Sequence, residues 1–108
     1  MAETPRDVIE KLKAKLASKP DIGKDIGAMY KFVITGEGGG TWLMDMRQTP
    51  PAITEGESAE AACTIRMDSP DFVALLNRAA NPVMLYMSGK LKIEGDMPLA
   101  MKLQSILS

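Results

Sequence analysis

The sequence predicts an α+β domain, and three observations predict it. Short stretches alternate apolar and polar residues with a period of two, the mark of strands with one covered face. Around them lie stretches whose apolar residues recur every three to four positions, two of which open on a cap, a proline and an acid. The 108 residues suffice for one hydrophobic core and not for two. Strands with one wet face, with helices before, between and after them, imply helices packed on the single apolar side of a sheet.

Thr4, Pro5 and Asp7 open the first helix as N-cap, N1 proline and early acid, and Val8, Ile9, Leu12 and Leu16 form its apolar stripe. Ser18 to Pro20 must break it, because proline disfavours helix in the residue before it and has no amide to donate. Asp21 to Gly27 predicts one or two further turns. From Ala28 to Thr35 the period changes to two, with Tyr30, Phe32 and Ile34 on one side and Met29, Lys31, Val33 and Thr35 on the other. Thr41 to Arg47 repeats the pattern, with Trp42, Met44 and Met46 inward and Leu43, Asp45 and Arg47 outward. The two strands form a hairpin around Gly36 to Gly40.

Pro50 and Pro51 suit a sheet edge. A short third strand is expected over Ala52 to Glu55 and a fourth over Glu60 to Met67, with Ala61, Cys63, Ile65 and Met67 inward. Ser69, Pro70 and Asp71 open another helix whose stripe is Phe72, Leu75, Leu76 and Ala79. Asn81 and Pro82 start a compact apolar segment, Val83 to Met87. Lys90 to Glu94 is the last strand, Gly95 ends it, and Asp96 caps a terminal helix carrying Leu99, Leu103, Ile106 and Leu107. That helix is apolar over much of its circumference, with Met97 and Met101 on a neighbouring arc and Gln104 three residues past Met101, so it needs cover on more than one side.

Composition narrows the function. Apolar residues make up 45% and charged ones 25%, with a formal net charge of −1, which leaves no basic face for nucleic acid. Lys11, Lys13, Lys15 and Lys19 read as the wet face of the first helix. No histidine occurs, so the commonest general base and metal ligand are missing together, and no cofactor is expected. Cys63, the one cysteine, cannot form an internal disulfide, and no run has the length and apolarity of a membrane span. The last three residues are not the Ser-Lys-Leu peroxisomal address, so a cytoplasmic location is expected, with the peroxisome open if the chain is part of a longer protein.

Motifs that would carry chemistry fail on context. The Gly36 to Gly40 run has threonine where a dinucleotide fingerprint needs its third glycine, and it leads into a strand. Cys63 has no histidine to activate it and reads as a small buried hydrophobe. Asp71 and Asp96 sit at helix starts and Asp45 on an outward strand face, where capping and solvation account for them.

Gly-Lys-Leu-Lys-Ile-x-Gly-Asp-Met-x-Leu-Ala-Met-Lys-Leu-Gln, from Gly89 to Gln104, resembles the C-terminal signature of the sterol carrier protein type 2 family. The resemblance extends over Ile26-Gly27, Thr41-Trp-x-x-Asp, Cys63-Thr-Ile, the Asp71-Phe72 helix and Asn81-Pro82. It implies a five-stranded, mostly antiparallel mixed sheet with helices on one face and an apolar tunnel between the layers. Asn77 to Ala80 stands where a glycine-containing turn belongs, and Val83 to Met87 replaces a phenylalanine-rich segment. The implied tunnel is lined by Phe32, Ile34, Trp42, Met44, Ile65, Phe72, Leu76, Met84, Met87, Leu91, Met97, Met101 and Gln104. Trp42 matches the family's tunnel tryptophan, and Gln104 its glutamine after Lys-Leu. Nine methionines, most of them on inward faces or in the closing segments, suit an adjustable apolar wall as well as they suit core filling.

The expected function is therefore non-enzymatic binding and transfer of a lipid: a fatty acid, fatty acyl-CoA, sterol or phospholipid. The domain is expected to be a monomer that touches membranes at most transiently, with the terminal helix as lid. The alternative is an interaction module that docks a partner or a second copy through the Leu99 to Leu107 stripe. A small lipid-ester hydrolase is a third class, disfavoured by the missing histidine.

Overall fold

The computed structural model describes residues 3–19, 21, 26–48 and 51–107, the last four by their backbone alone. The turns expected between Asp21 and Gly27 fall mostly on residues 22–25 and lie outside the described residues, as does the side chain of Gln104.

Helix α1 (Pro5–Ser18) starts as its first residues dictate. The Asp7 amide donates to the Thr4 hydroxyl at 3.2 Å while the Thr4 amide donates to the Asp7 carboxylate at 2.9 Å, a reciprocal cap. Val8, Ile9, Leu12 and Leu16 are buried. Strands β1 (Met29–Thr35) and β2 (Gly40–Asp45) form the expected antiparallel hairpin, with Phe32 opposite Trp42 and Tyr30 opposite Met44. A Cβ on Gly39 would lie 2.2 Å from the Ile34 carbonyl oxygen, so only glycine closes this turn.

β3 (Ala52–Glu55) pairs antiparallel with β2, β4 (Cys63–Asp68) lies parallel to β1, and β5 (Leu91–Gly95) lies antiparallel to β4. The order is β3-β2-β1-β4-β5, an open five-stranded mixed sheet. To pass from one edge to the far side of β1, residues 56–62 cross the sheet face opposite the helices. Gly56 donates to Thr41, Ala62 to Met29, and Glu57 and Glu60 meet Lys31 and Arg47. That crossing corrects the expectation of a wet outer face: Leu43 and Met29 are each only 8% exposed, and Asp45 is buried too. Asp45 answers its burial by accepting from the Arg47 guanidinium, the Arg47 amide and the Gln48 side chain.

α2 (Ser69–Leu76) begins one residue earlier than its sequence signature suggests, with Asp68 and not Ser69 at the cap. The Asp68 side chain makes no cap bond, because its carboxylate accepts from the Thr35 hydroxyl instead. The helix also ends early. Arg78 takes φ +61°, and the Ala79 and Ala80 amides return to the Ala74 carbonyl at 2.8 and 3.2 Å, which closes the C-terminus around a left-handed residue. This is the turn where the resemblance calls for glycine, and it leaves Ala79 exposed and off the buried stripe.

α3 (Pro82–Met87) is capped by the Asn81 side-chain oxygen Oδ1, which accepts from the Val83 and Met84 amides at 2.8 and 3.3 Å. After β5, Gly95 turns the chain at φ +99°, and a Cβ there would come within 2.5 Å of the Ala62 carbonyl oxygen. α4 (Met97–Leu107) follows, its Leu99 amide donating to the Asp96 carboxylate at 3.2 Å. The helices share one face of the sheet, and the core lies between the two layers. At its centre Phe72 packs on Phe32 at 5.8 Å between ring centroids and stacks on Trp42 at 6.5 Å.

Candidate functional site

Sheet and helices meet closely around Trp42 and Phe72 and part toward β5. The gap is a cavity of about 200 Å³. Its floor is Ile65 of β4 with Leu91 and Ile93 of β5, residues that the period of two turns toward the helices. Leu75 of α2 closes its inner end. α3 contributes Pro82, Val83 and Tyr86, and α4 contributes Met97, Ala100, Met101 and Leu103. On α4 these recur at the three- and four-residue spacing that places side chains on one face. Among the described residues no wall side chain carries a charge, and the Tyr86 hydroxyl is the one polar side-chain group.

The mouth is visible in the exposures. Val83, Tyr86, Met97 and Met101 belong to the wall and also face solvent, whereas Leu75 and Leu103 at the inner end are 1% exposed. One side-chain tie holds the first turn of α4 to the sheet: the Tyr30 hydroxyl donates to the Leu99 carbonyl oxygen at 2.6 Å. Burial, with Cys63 and Asp96 nearby, pushes the Tyr30 phenol up to about 12, so it stays a donor at any physiological pH. Burial likewise pushes the Cys63 thiol up to about 11, which makes it a poor nucleophile. Among the described residues no three His, Cys, Asp or Glu side chains gather as metal ligands would.

Of the thirteen residues expected to line a tunnel, the structure brings Ile65, Leu91, Met97 and Met101 to this cavity. It places Phe32, Ile34, Trp42, Met44 and Phe72 in the packed interior, each 3% exposed or less and none on the wall. Trp42, expected as a flat wall, is stacked on Phe72 instead. Leu76 is half-buried against the core. Met84 and Met87 point away from the cavity, 66% and 77% exposed, because on six-residue α3 it is Leu85 that turns inward. Sequence reasoning missed Leu75, Pro82, Val83, Tyr86, Ile93, Ala100 and Leu103 as wall residues. Ile93 was recoverable from its alternation with Leu91, and Ala100 from its place between Met97 and Met101.

The alternative reading of α4 as a docking stripe meets the same geometry. Leu103 is buried and Leu99 half-buried against the domain's own core, so this part of the stripe is already in use.

An open mixed sheet, helices on one face and an apolar cavity under the last of them define a small α+β domain built around an apolar receptacle. The chain belongs to the SCP-2 sterol transfer family, whose model matches residues 9–108. Hydroxysteroid dehydrogenase-like protein 2 of Xenopus laevis is 42% identical over 85 residues, 78% of this chain and 20% of that protein. The Homo sapiens protein of the same name is 39% identical over 89 residues, 82% of this chain and 21% of that one. The chain thus spans about a fifth of the length of these relatives. In fold it matches palmitated SCP2L2 from Aedes aegypti, with a TM-score of 0.79 at 22% identity over 93% of this chain and 90% of that one. A palmitate complex of sterol carrier protein 2 from Aedes aegypti gives a TM-score of 0.78 at 22% identity, over 100% and 97%. The apo form of sterol carrier protein 2 from Yarrowia lipolytica gives 0.69 at 24%, over 86% and 73%.

Proposed function

We propose that this domain binds the hydrocarbon tail of a lipid in the cavity between β5, α3 and α4, carries it through water, and performs no chemistry on it. The observation that carries this reading is a wall that, among the described residues, holds no charged group and opens to solvent between exposed methionines. Each methylene moved from water into such a site gains about 0.8 kcal/mol, and unbranched thioether side chains conform to chains of different shape. Membership of the sterol transfer family, and the palmitate held by two proteins of the same fold, support it.

The wall also indicates which part of a lipid enters. Among its described residues it offers no cation, so a carboxylate or phosphate stays outside in water and the tail goes in. An engineered cavity of about 150 Å³ admits benzene, about 25 Å³ per carbon, so 200 Å³ takes about eight carbons. A sterol would need roughly three times the cavity, which favours fatty acids and fatty acyl-CoA over sterols unless α4 moves outward.

Displacement of a fluorescent fatty acid from the delipidated protein tests the reading. Saturable binding in the micromolar range or tighter is expected, weakened at least about tenfold by Met101→Glu, which sets a carboxylate in the mouth. Folded protein that shows no saturable binding up to tens of micromolar overturns it. Trp42→Ala is not a probe of the cavity: it empties a packed interior position and costs about 3–5 kcal/mol of stability.

A further inference from the structure

The methionines of this domain fall into two sets. Among the described residues, Met29, Met44, Met46 and Met67 are each 8% exposed or less, whereas Met84, Met87, Met97 and Met101 face solvent. Two of the exposed four, Met97 at 39% and Met101 at 67%, also belong to the cavity wall. They stand four residues apart on α4, so their thioethers share one face of the helix at the mouth.

Exposure decides which sulfur an oxidant reaches. A thioether takes up oxygen, its sulfoxide is polar where the thioether was apolar, and the change can be reversed by reduction. Cys63 and Trp42 are buried, so neither competes for the oxidant.

We propose that Met97 and Met101 form a modification site, at which a peroxide oxidises the two thioethers to sulfoxides and the cavity then loses its hold on the lipid tail. This rests on the lipid-carrier reading, and it adds how the guest is let go. With hydrogen peroxide, the sulfur lone pair attacks one oxygen, the O–O bond breaks and an S–O bond forms. Sulfur gives up two electrons, and the second oxygen leaves as water with both protons. Each sulfoxide brings an oxygen that accepts hydrogen bonds, and among the described wall side chains only the Tyr86 hydroxyl can donate one. That single proton satisfies one of the two new oxygens. The other keeps water in the mouth, where the tail has to pass. Met84 and Met87 serve as the comparison within the same molecule: they are as accessible, but they belong to no part of the wall, so their oxidation leaves the cavity as it was.

Graded treatment of the delipidated protein with hydrogen peroxide tests this, with oxygen uptake at each methionine followed by peptide mass spectrometry and affinity read by displacement of a fluorescent fatty acid. The exposed set should oxidise at least about tenfold faster than the buried set. At a dose that spares the buried set, Kd should rise at least about tenfold, and methionine sulfoxide reductases acting on both epimers should return it to within about twofold of its starting value. The variant carrying Met84→Leu and Met87→Leu should keep the whole of that rise. In the variant carrying Met97→Leu and Met101→Leu, the ratio of Kd after peroxide to Kd before it should stay below about twofold, whatever the starting affinity. Equal oxidation of both sets, unchanged affinity once Met97 and Met101 carry oxygen, or a rise that reduction does not reverse overturns the site. So does a rise that Met84→Leu and Met87→Leu abolish. Untreated protein that binds no fatty acid sinks the carrier reading itself, whereas binding that survives oxidation leaves that reading in place and removes the modification site alone.

Discussion

The volume of the cavity sets a limit that a series of ligands can locate. Extending a linear fatty acid by one methylene inside the cavity gains about 0.8 kcal/mol, which is about fourfold in Kd. At about 25 Å³ per carbon the 200 Å³ are filled near eight carbons; later methylenes lie along the exposed rim of Val83, Tyr86, Met97 and Met101 with one side in water, and gain about twofold or less each. A plot of log Kd against chain length from six to sixteen carbons should therefore bend at eight to ten. Ala100→Leu moves the bend. Ala100 is on the wall and 7% exposed, and three added carbons fill about 75 Å³ of the void, so the bend shifts about three carbons shorter while the fold is kept or strengthened. The assay is competition against a fluorescent fatty acid, each ligand kept below its micellar concentration. A constant slope out to sixteen carbons that Ala100→Leu leaves untouched would refute the assignment of this cavity as the binding volume.

Other expectations concern stability. Arg78→Gly relieves a left-handed residue at the end of α2 and should raise unfolding free energy by about 0.5–1 kcal/mol in urea. Hydrogen bonds from Arg47 and Gln48 hold the Asp45 carboxyl down to about 2, so its contribution is present above about pH 4 and fades as the pH falls through 2. Asp45→Asn should cost about 1–2 kcal/mol at pH 7 and flatten that part of the acid limb. Tyr30 behaves oppositely: its phenol is raised, so its contribution is intact below pH 10 and is lost as the pH rises through about 12. Tyr30→Phe should lower stability at pH 7 by about 0.5–1.5 kcal/mol and make the alkaline decline shallower, as followed by circular dichroism.

How much of this was legible in the sequence follows from what periodicity can carry. A period of two assigned the inward faces of β1 and β4, and the caps at Thr4, Asn81 and Asp96 marked helix starts, because both signals are local. The cover over Leu43 and Asp45 was not legible, since it depends on residues 56–62 crossing the sheet, a consequence of strand order. The cavity wall fell between these cases. Alternation says that Trp42 and Ile65 both face the helices, but not that Phe72 fills the space above the first while the space beside the second stays open. Two-turn α3 offers too few positions to show a stripe, so Met84 and Met87 read inward from composition when Leu85 takes that side.

Tyr30 fastens α4 at Leu99, and the Asp96 amide donates to Ala62 only three residues before. Both bonds act on the first turn of α4 or the residue before it, so among the described residues they moor the helix where it begins. Met101, on the wall and exposed, lies beyond both bonds, so a substitution there retunes the size of guest that fits and leaves the mooring in place.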